Sequence, residues 1–265
     1  MLRWFWGALA LACGAVQAFS APPTPAESGG SSPMRFEWRR EGPAEVCGSH
    51  CRVWISAVGY ITADTPREFE NFAKERDVRG AVLVLDSDGG SVLGTLSLGR
   101  TIRGLDMVTS IGRTTTLPAV VGGDRRATLA PDGNCESMCA FLLLAGTRRY
   151  VPPQAQVLVH QIWLGKKRKQ ALELSYTAEE LNIVQRDIGR LAQYTIEMGG
   201  GVELLETALR IPPWEPLYRL SQDELTRMRL STVDVLFDRD LPKTAPIMPA
   251  TSLATVGQPG TAARE

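Results

Sequence analysis

Ser137 lies in a segment whose residue types favour nucleophilic chemistry. The segment is CESMCAF, residues 135–141, and an apolar helix is predicted to begin there. Unpaired backbone N–H groups and the helix dipole stabilise negative charge at such a position, which suits attack on a carbonyl group. Serine is also common at helix N-termini as a capping residue, so a helix cap is the alternative interpretation.

Two further segments could supply a general base and an oxyanion site. The apolar run 157–159 ends on His160, the only histidine after residue 50. A neutral imidazole can accept a hydroxyl proton near neutral pH, although many histidines have only a structural role. Gly89 and Gly90 follow another apolar run, and a backbone without side chains can present N–H groups to a reacting carbonyl. The alternative for the two glycines is an ordinary turn.

Alternating strands and helices are predicted to position these residues. Strands are expected at 53–61, 81–85, 107–111 and 157–160, and helices at 65–76, 92–102, 136–145 and 177–198. The run AVLVL at 81–85 is apolar on both faces, which indicates a parallel strand covered by helices on both sides. Thr177 and Glu180 form a capping-box pattern at the start of the last helix. The fold class is therefore predicted to be α/β.

Three motifs in this order resemble the proteolytic subunit of Clp protease. They are VLDSDGGSV at 84–92, SMCAFLLLAG at 137–146 and VLVHQ at 157–161, and the resemblance covers about residues 53–237. It implies a ClpP/crotonase-like fold, a right-handed spiral of ββα units. It also implies that Ser137 is the nucleophile, that His160 is the base, and that the amides of Gly89 and Met138 form the oxyanion hole.

The chain departs from the Clp pattern at two places near these motifs. Leu217 stands where the family has the aspartate of its catalytic triad. Glu215, two residues upstream, could orient His160 if its loop curls inward, and is otherwise a surface carboxylate. A Ser/His dyad is the remaining arrangement. The stretch 113–134 is also longer than in the Clp subunit and is expected to be a mobile loop that gates the site or contacts a partner.

The N-terminal residues have the pattern of an export signal. Residues 1–18 contain Arg3, an apolar run and a small residue at the end, so we expect a cleaved signal peptide and a periplasmic protein. An uncleaved segment acting as a membrane anchor is the alternative. Residues 19–34 are rich in Pro, Ser and Gly and are expected to be a flexible linker. The ClpP/crotonase-like domain is expected at 35–240, followed by a disordered tail at 241–265.

The four cysteines beyond the signal segment form two Cys-x₃-Cys pairs. They are Cys47 with Cys51 and Cys135 with Cys139. Export to an oxidising compartment favours two disulfides. Pairing within each motif and cross-pairing both remain open, because a bridge between positions i and i+4 of a regular helix is strained. A thiolate nucleophile at Cys135 or Cys139 is the alternative.

Composition and compartment limit the expected partners. The chain has 29 Lys+Arg and 29 Asp+Glu, so it lacks the positive excess of a nucleic-acid-binding protein. No metal site and no cofactor are predicted. Peptide or protein substrates are expected, and an ATP-driven unfoldase is not, because ATP is scarce outside the cytoplasm.

The helix at 177–198 corresponds to a region that builds subunit contacts in the Clp family, which implies a homo-oligomer, although it could instead pack on its own sheet.

These observations lead to two main hypotheses. The first is an exported serine peptidase that cleaves short or unstructured peptides through an acyl-enzyme on Ser137, with His160 as base. The second is a catalytically inactive binding or scaffold protein of the periplasm that keeps the fold without the triad aspartate. A crotonase-type acyl-thioester enzyme is disfavoured, since export separates the chain from coenzyme A.

Overall fold

The computed structural model describes residues 32–118, 126–164 and 175–237. Its strands are β1 Arg35–Glu41, β2 Val53–Val58, β3 Val82–Asp86, β4 Val108–Ile111, β5 Arg113–Thr116, β6 Arg126–Ala130, β7 Asn134–Glu136, β8 Arg149–Tyr150, β9 Gln156–Val159 and β10 Tyr218–Arg219. Its α-helices are α1 Ala44–Cys47, α2 Thr65–Ala73, α3 Val92–Gly104, α4 Met138–Leu143, α5 Ala178–Glu197, α6 Glu203–Leu209 and α7 Gln222–Arg227, and Gly48–His50 form a 3₁₀ turn. The predicted signal peptide and C-terminal tail lie outside the described residues.

A mixed seven-stranded sheet forms the centre of the fold. Its strand order is β5-β6-β1-β2-β3-β4-β8, and β2, β3, β4 and β8 run parallel to one another. Strand β3 is buried on both faces, because Leu83 and Leu85 join the main core while Val84 packs in a second cluster with Trp54 and Ala127. The α/β class is therefore confirmed. The ClpP/crotonase-like spiral remains a prediction.

A smaller sheet of order β10-β9-β7 carries two of the predicted site segments. The end of β3 connects it to the large sheet, since Ser87 forms a parallel bridge with Cys135. The Ser87 amide donates to the Asn134 carbonyl at 2.8 Å, and the Glu136 amide donates to the Ser87 carbonyl at 2.8 Å. The chain after β3 is thus held directly beside β7.

The helix predicted at 136–145 begins later than the apolar pattern indicated. Residues 134–136 belong to β7 and pair in parallel with β9, with Cys135 opposite Val157. Helix α4 then starts at Met138. The predicted helix and the observed strand overlap at Glu136, and the pairing with β9 places this residue in the strand. By contrast, the capping box of Thr177 and Glu180 forms at α5 as predicted.

The stretch predicted as a gating loop at 113–134 contains two strands among its described residues, 113–118 and 126–134. Strands β5 and β6 pair antiparallel, with Arg113 opposite Ala130, and β6 extends the sheet by pairing with β1. The threonine-rich sequence of β5 suits a half-exposed edge strand. The prediction of a loop is therefore wrong for the residues of β5 and β6, and the glycines at 122–123 lie outside the described residues. The gating role stays a prediction.

The described fold extends slightly beyond the predicted domain start at residue 35. The Ser32 carbonyl accepts the Tyr60 amide at 2.8 Å, and Pro33 forms a parallel bridge with Tyr60. Met34 is only 2% exposed and packs in the main core. The last residues assigned to the linker therefore belong to the folded body, while residues 19–31 lie outside the described chain.

Two arginines fix the C-terminal end of α4. Arg103 donates from Nε to the Ala145 carbonyl at 2.7 Å and from Nη2 to the Leu144 carbonyl at 2.7 Å. Arg149 donates from Nη1 to the Leu144 and Gly146 carbonyls at 3.0 and 3.1 Å. Burial, together with the nearby positive charges, lowers the pKa of Arg149 to about 10. The cations thus bind the carbonyls of the C-cap Leu144 and of the two residues after it, at the end of the helix that begins beside Ser137.

Candidate active site

Ser137 occupies a sharp turn between β7 and α4. Its backbone has φ 53° and ψ −116°, a conformation that is rare for a residue with a side chain. Such a conformation costs about 1–3 kcal/mol and persists only where the surrounding structure imposes it. Here the Ser137 amide donates to the Leu158 carbonyl of β9 at 2.7 Å, and its own carbonyl accepts the Ala140 amide at 3.1 Å.

The Ser137 hydroxyl does not act as a helix cap. Three other Ser and Thr residues at helix starts have extended backbones, and their side chains accept a backbone amide of the first turn: Ser91, Thr177 and Ser221. Ser137 makes no such bond. The interpretation of Ser137 as a side-chain cap is therefore wrong, and its backbone also lacks the extended conformation of the three capping residues.

Gly89 lies against the Ser137 turn. It has φ 85°, and a Cβ at this position would be 2.5 Å from the Glu136 carbonyl oxygen and 2.9 Å from both the Met138 nitrogen and the Ser137 Cβ. The Met138 amide is in the first turn of α4, where N–H groups have no partner within the helix. The Gly89 amide donates to the Ser87 hydroxyl at 3.2 Å. Both predicted oxyanion donors thus lie beside Ser137, and one of them is engaged by Ser87.

His160 directly follows the strand that receives the Ser137 amide. Strands β7 and β9 are parallel, with Glu136 opposite Leu158. His160 is two residues beyond Leu158 and is partly exposed, whereas the alternate positions Val157 and Val159 are each 1% exposed. Ser137 and His160 therefore each follow the C-terminal end of one of two neighbouring parallel strands, at the same edge of the small sheet.

Leu217 directly precedes β10, the strand that pairs with the strand leading to His160. Strands β9 and β10 are antiparallel, with Tyr218 opposite Val159 and Arg219 opposite Leu158. Both strands end at this pair, and one further step in the same register would set Leu217 opposite His160. Glu215 is exposed and its amide donates to the Pro212 carbonyl at 3.1 Å, so its loop does not bury the carboxylate.

A polar network attaches the glycine loop to the Ser137 strand, and the sequence analysis did not identify it. The Asn134 amide donates to Asp86 at 3.0 Å, and the Asn134 side chain donates to Glu136 at 2.8 Å and to Asp88 at 3.5 Å. Burial raises the pKa of Asp86, and burial with the nearby Glu136 charge raises the pKa of Asp88. The segment DSDGG at 86–90 was the available signal, because it contains two of these carboxylates.

The cysteines pair within each motif, as Cys47–Cys51 and Cys135–Cys139. Cross-pairing is therefore wrong. The objection to local pairing assumed that residues 135 and 139 both lie in a helix, but Cys135 belongs to β7. The thiolate alternative at these two positions is also wrong, because both sulfurs are in the bridge.

The described residues contain neither a candidate metal site nor a candidate membrane span. No group of three His, Cys, Asp or Glu residues there is arranged to hold a metal ion. Among the same residues, no helix is long and apolar enough to cross a membrane.

Comparison with known proteins gives one informative match. No curated protein matches the chain significantly. A family model described as Clp protease matches residues 125–199, less than a third of the chain. This segment contains the Ser137 turn, the Cys135–Cys139 bridge and His160. The match supports a ClpP-like family for this chain, and with it a peptidase or a relative of one.

Proposed function

We propose that this protein is an exported serine peptidase that cleaves short or unstructured peptides through an acyl-enzyme on Ser137. The observation that carries this proposal is the Ser137 turn. Its hydroxyl is not used as a helix cap, and its backbone has a conformation that serine rarely adopts. A structural role would not need this conformation, because Ser91, Thr177 and Ser221 begin their helices without it.

The reaction uses groups that lie around this turn. Ser137 Oγ attacks the peptide carbonyl, and His160 accepts the hydroxyl proton. The Met138 amide donates to the resulting oxyanion, and the Gly89 amide joins it by giving up its bond to Ser87. His160 then protonates the leaving amine, and water releases the acyl group from Ser137.

The signal-like N-terminal sequence and the two disulfides support export to an oxidising compartment. Two bridges are expected to persist in an oxidising compartment such as the periplasm. An ATP-driven unfoldase would have no energy source there. Substrates must therefore already be short or unstructured when they reach the site. Homo-oligomerisation agrees with the Clp protease match, since members of that family typically oligomerise and act on peptides.

Covalent labelling with a fluorophosphonate probe tests the proposed function. We expect one adduct per chain on the purified protein, located on Ser137 by mass spectrometry of its peptides. Ser137→Ala should remove the adduct, whereas Ser221→Ala, which removes the cap hydroxyl of α7, should retain it. An adduct on another residue would contradict the assignment of the nucleophile.

The absence of an acid at position 217 favours a second candidate, an inactive scaffold with the same fold. No adduct on a folded wild-type protein would support that candidate. It would also overturn the proposed peptidase mechanism, because a nucleophile activated by His160 must react with the probe.

Leu217→Asp should increase the labelling rate by about tenfold or more if His160 acts without a carboxylate partner. An aspartate across from His160 would fix the orientation of the imidazole and stabilise its protonated form. Leu217→Asn is the matched control, since it has the same shape without the charge. Equal second-order labelling rates for the two variants would contradict the assignment of this position.

A further inference from the structure

We propose that the Cys135–Cys139 disulfide positions Ser137 by holding it in the conformation that exposes its hydroxyl for attack. This inference rests on the proposed function, because it gives the bridge a role in the reactivity of Ser137. The bridge joins the middle of β7 to the first turn of α4, and Ser137 is the central residue of the five that it spans.

The two ends of the bridge are fixed by the fold. Cys135 pairs with Val157 in the small sheet. It also forms a parallel β-bridge with Ser87, the residue after β3. Cys139 lies in α4, and both cysteines are 0% exposed in the main core. The disulfide therefore ties a position in the sheet to a position in the helix, and the three residues between the two cysteines must fit the span that it sets.

This constraint opposes a competing conformation of Ser137. At three other helix starts a Ser or Thr has φ between −66° and −75°, and its side chain accepts an amide of the first turn. Without the bridge, Ser137 could adopt the same extended conformation and use its hydroxyl to cap α4. The hydroxyl would then be less available for reaction, although the protein would remain folded.

The bridge also affects the oxyanion donors. The Met138 amide and the Glu136 carbonyl both lie within 3 Å of where a Cβ on Gly89 would be. A rotation of the backbone around Ser137 would change the direction of the Met138 amide relative to the glycine loop. The position of the Ser137 hydroxyl and the direction of the Met138 amide thus depend on the same backbone conformation.

The second bridge is a matched control within the same chain. Cys47–Cys51 has the same sequence separation of four residues. It connects the end of α1 to the residue after the 3₁₀ turn, outside β7, α4 and the glycine loop. The general effect of losing a small disulfide loop can therefore be separated from an effect on Ser137.

The experiment compares wild type, Cys135→Ala/Cys139→Ala and Cys47→Ala/Cys51→Ala. For each protein the fluorophosphonate labelling kinetics are resolved into kinact and KI, and thermal unfolding is followed by circular dichroism. We expect Cys135→Ala/Cys139→Ala to lower kinact by about tenfold or more, because the reactive backbone conformation becomes a minor population. The Cys47→Ala/Cys51→Ala protein should keep the wild-type kinact even if its Tm falls.

Reduction provides a second test if Cys135→Ala/Cys139→Ala does not fold. In Cys47→Ala/Cys51→Ala, dithiothreitol can break only the Cys135–Cys139 bond. Two electrons and two protons from dithiothreitol leave a thiol on each cysteine, and the reagent becomes a cyclic disulfide. We expect kinact to fall when mass spectrometry after alkylation detects two more thiols than in the unreduced sample, and to recover in a sample that is reoxidised instead of alkylated.

The outcomes separate this inference from the proposed function. If wild type is labelled on Ser137 and both double variants have the same kinact, the positioning role is overturned and the peptidase proposal stands. An unchanged kinact on reduction has the same meaning. If folded wild type is not labelled, the proposed function and the inference both fail.

Discussion

Replacing Ser137 with alanine should lower the rate of peptide hydrolysis by about three orders of magnitude or more, and His160→Ala should have a similar effect. Ser137→Ala removes the atom that forms the acyl-enzyme. His160→Ala leaves the hydroxyl in place but removes the acceptor for its proton. Hydrolysis of an unstructured peptide, followed by mass spectrometry of the products, measures both effects.

The double variant tests whether the two residues act in one step. Groups that act as a unit have strongly non-additive effects, so Ser137→Ala/His160→Ala should be about as slow as Ser137→Ala alone. Ser221→Ala is the control for the loss of a hydroxyl, since Ser221 caps α7. Cleavage retained by purified Ser137→Ala would indicate a different nucleophile and contradict the mechanism.

The sequence predicted the class of the fold and the positions of its central elements because these depend on local patterns. The apolar run at 81–85 corresponds to β3, which is buried on both faces. The capping pattern at Thr177 corresponds to the start of α5. Such features need only the residue types of one segment, and the sequence contains those directly.

Features that depend on two distant segments were predicted less well. The helix was predicted to begin at Glu136, but Glu136 belongs to β7, which forms by pairing with β9 about twenty residues later in the chain. That error also left the disulfide pairing open. The positive φ of Ser137 was not predicted, because glycine and asparagine are the usual signals for it and serine is not. Strands β5 and β6 were missed since their alternation is weak.

Gly89 offers a test of how closely the glycine loop must approach the Ser137 turn. Gly89→Ala should destabilise the protein by about 2–5 kcal/mol, as the sum of a left-handed backbone and an overpacked contact. A Cβ there would be 2.5 Å from the Glu136 carbonyl oxygen, so the loop must move away. Movement of the loop takes the Gly89 amide away from the oxyanion. We therefore expect Gly89→Ala to lower both the free energy of unfolding and the labelling rate.

Gly80→Ala is the control that separates the two contributions. Gly80 has φ 68°, but no atom lies within 4 Å of where its Cβ would be. Its substitution should therefore cost only the backbone contribution, about 1–2 kcal/mol, and leave the labelling rate unchanged. Urea unfolding measures both stabilities, and labelling is compared at a temperature where each variant is folded. If Gly89→Ala matches Gly80→Ala in stability and labelling, the close approach of the glycine loop is not needed for the reaction, and Met138 becomes the main donor to the oxyanion.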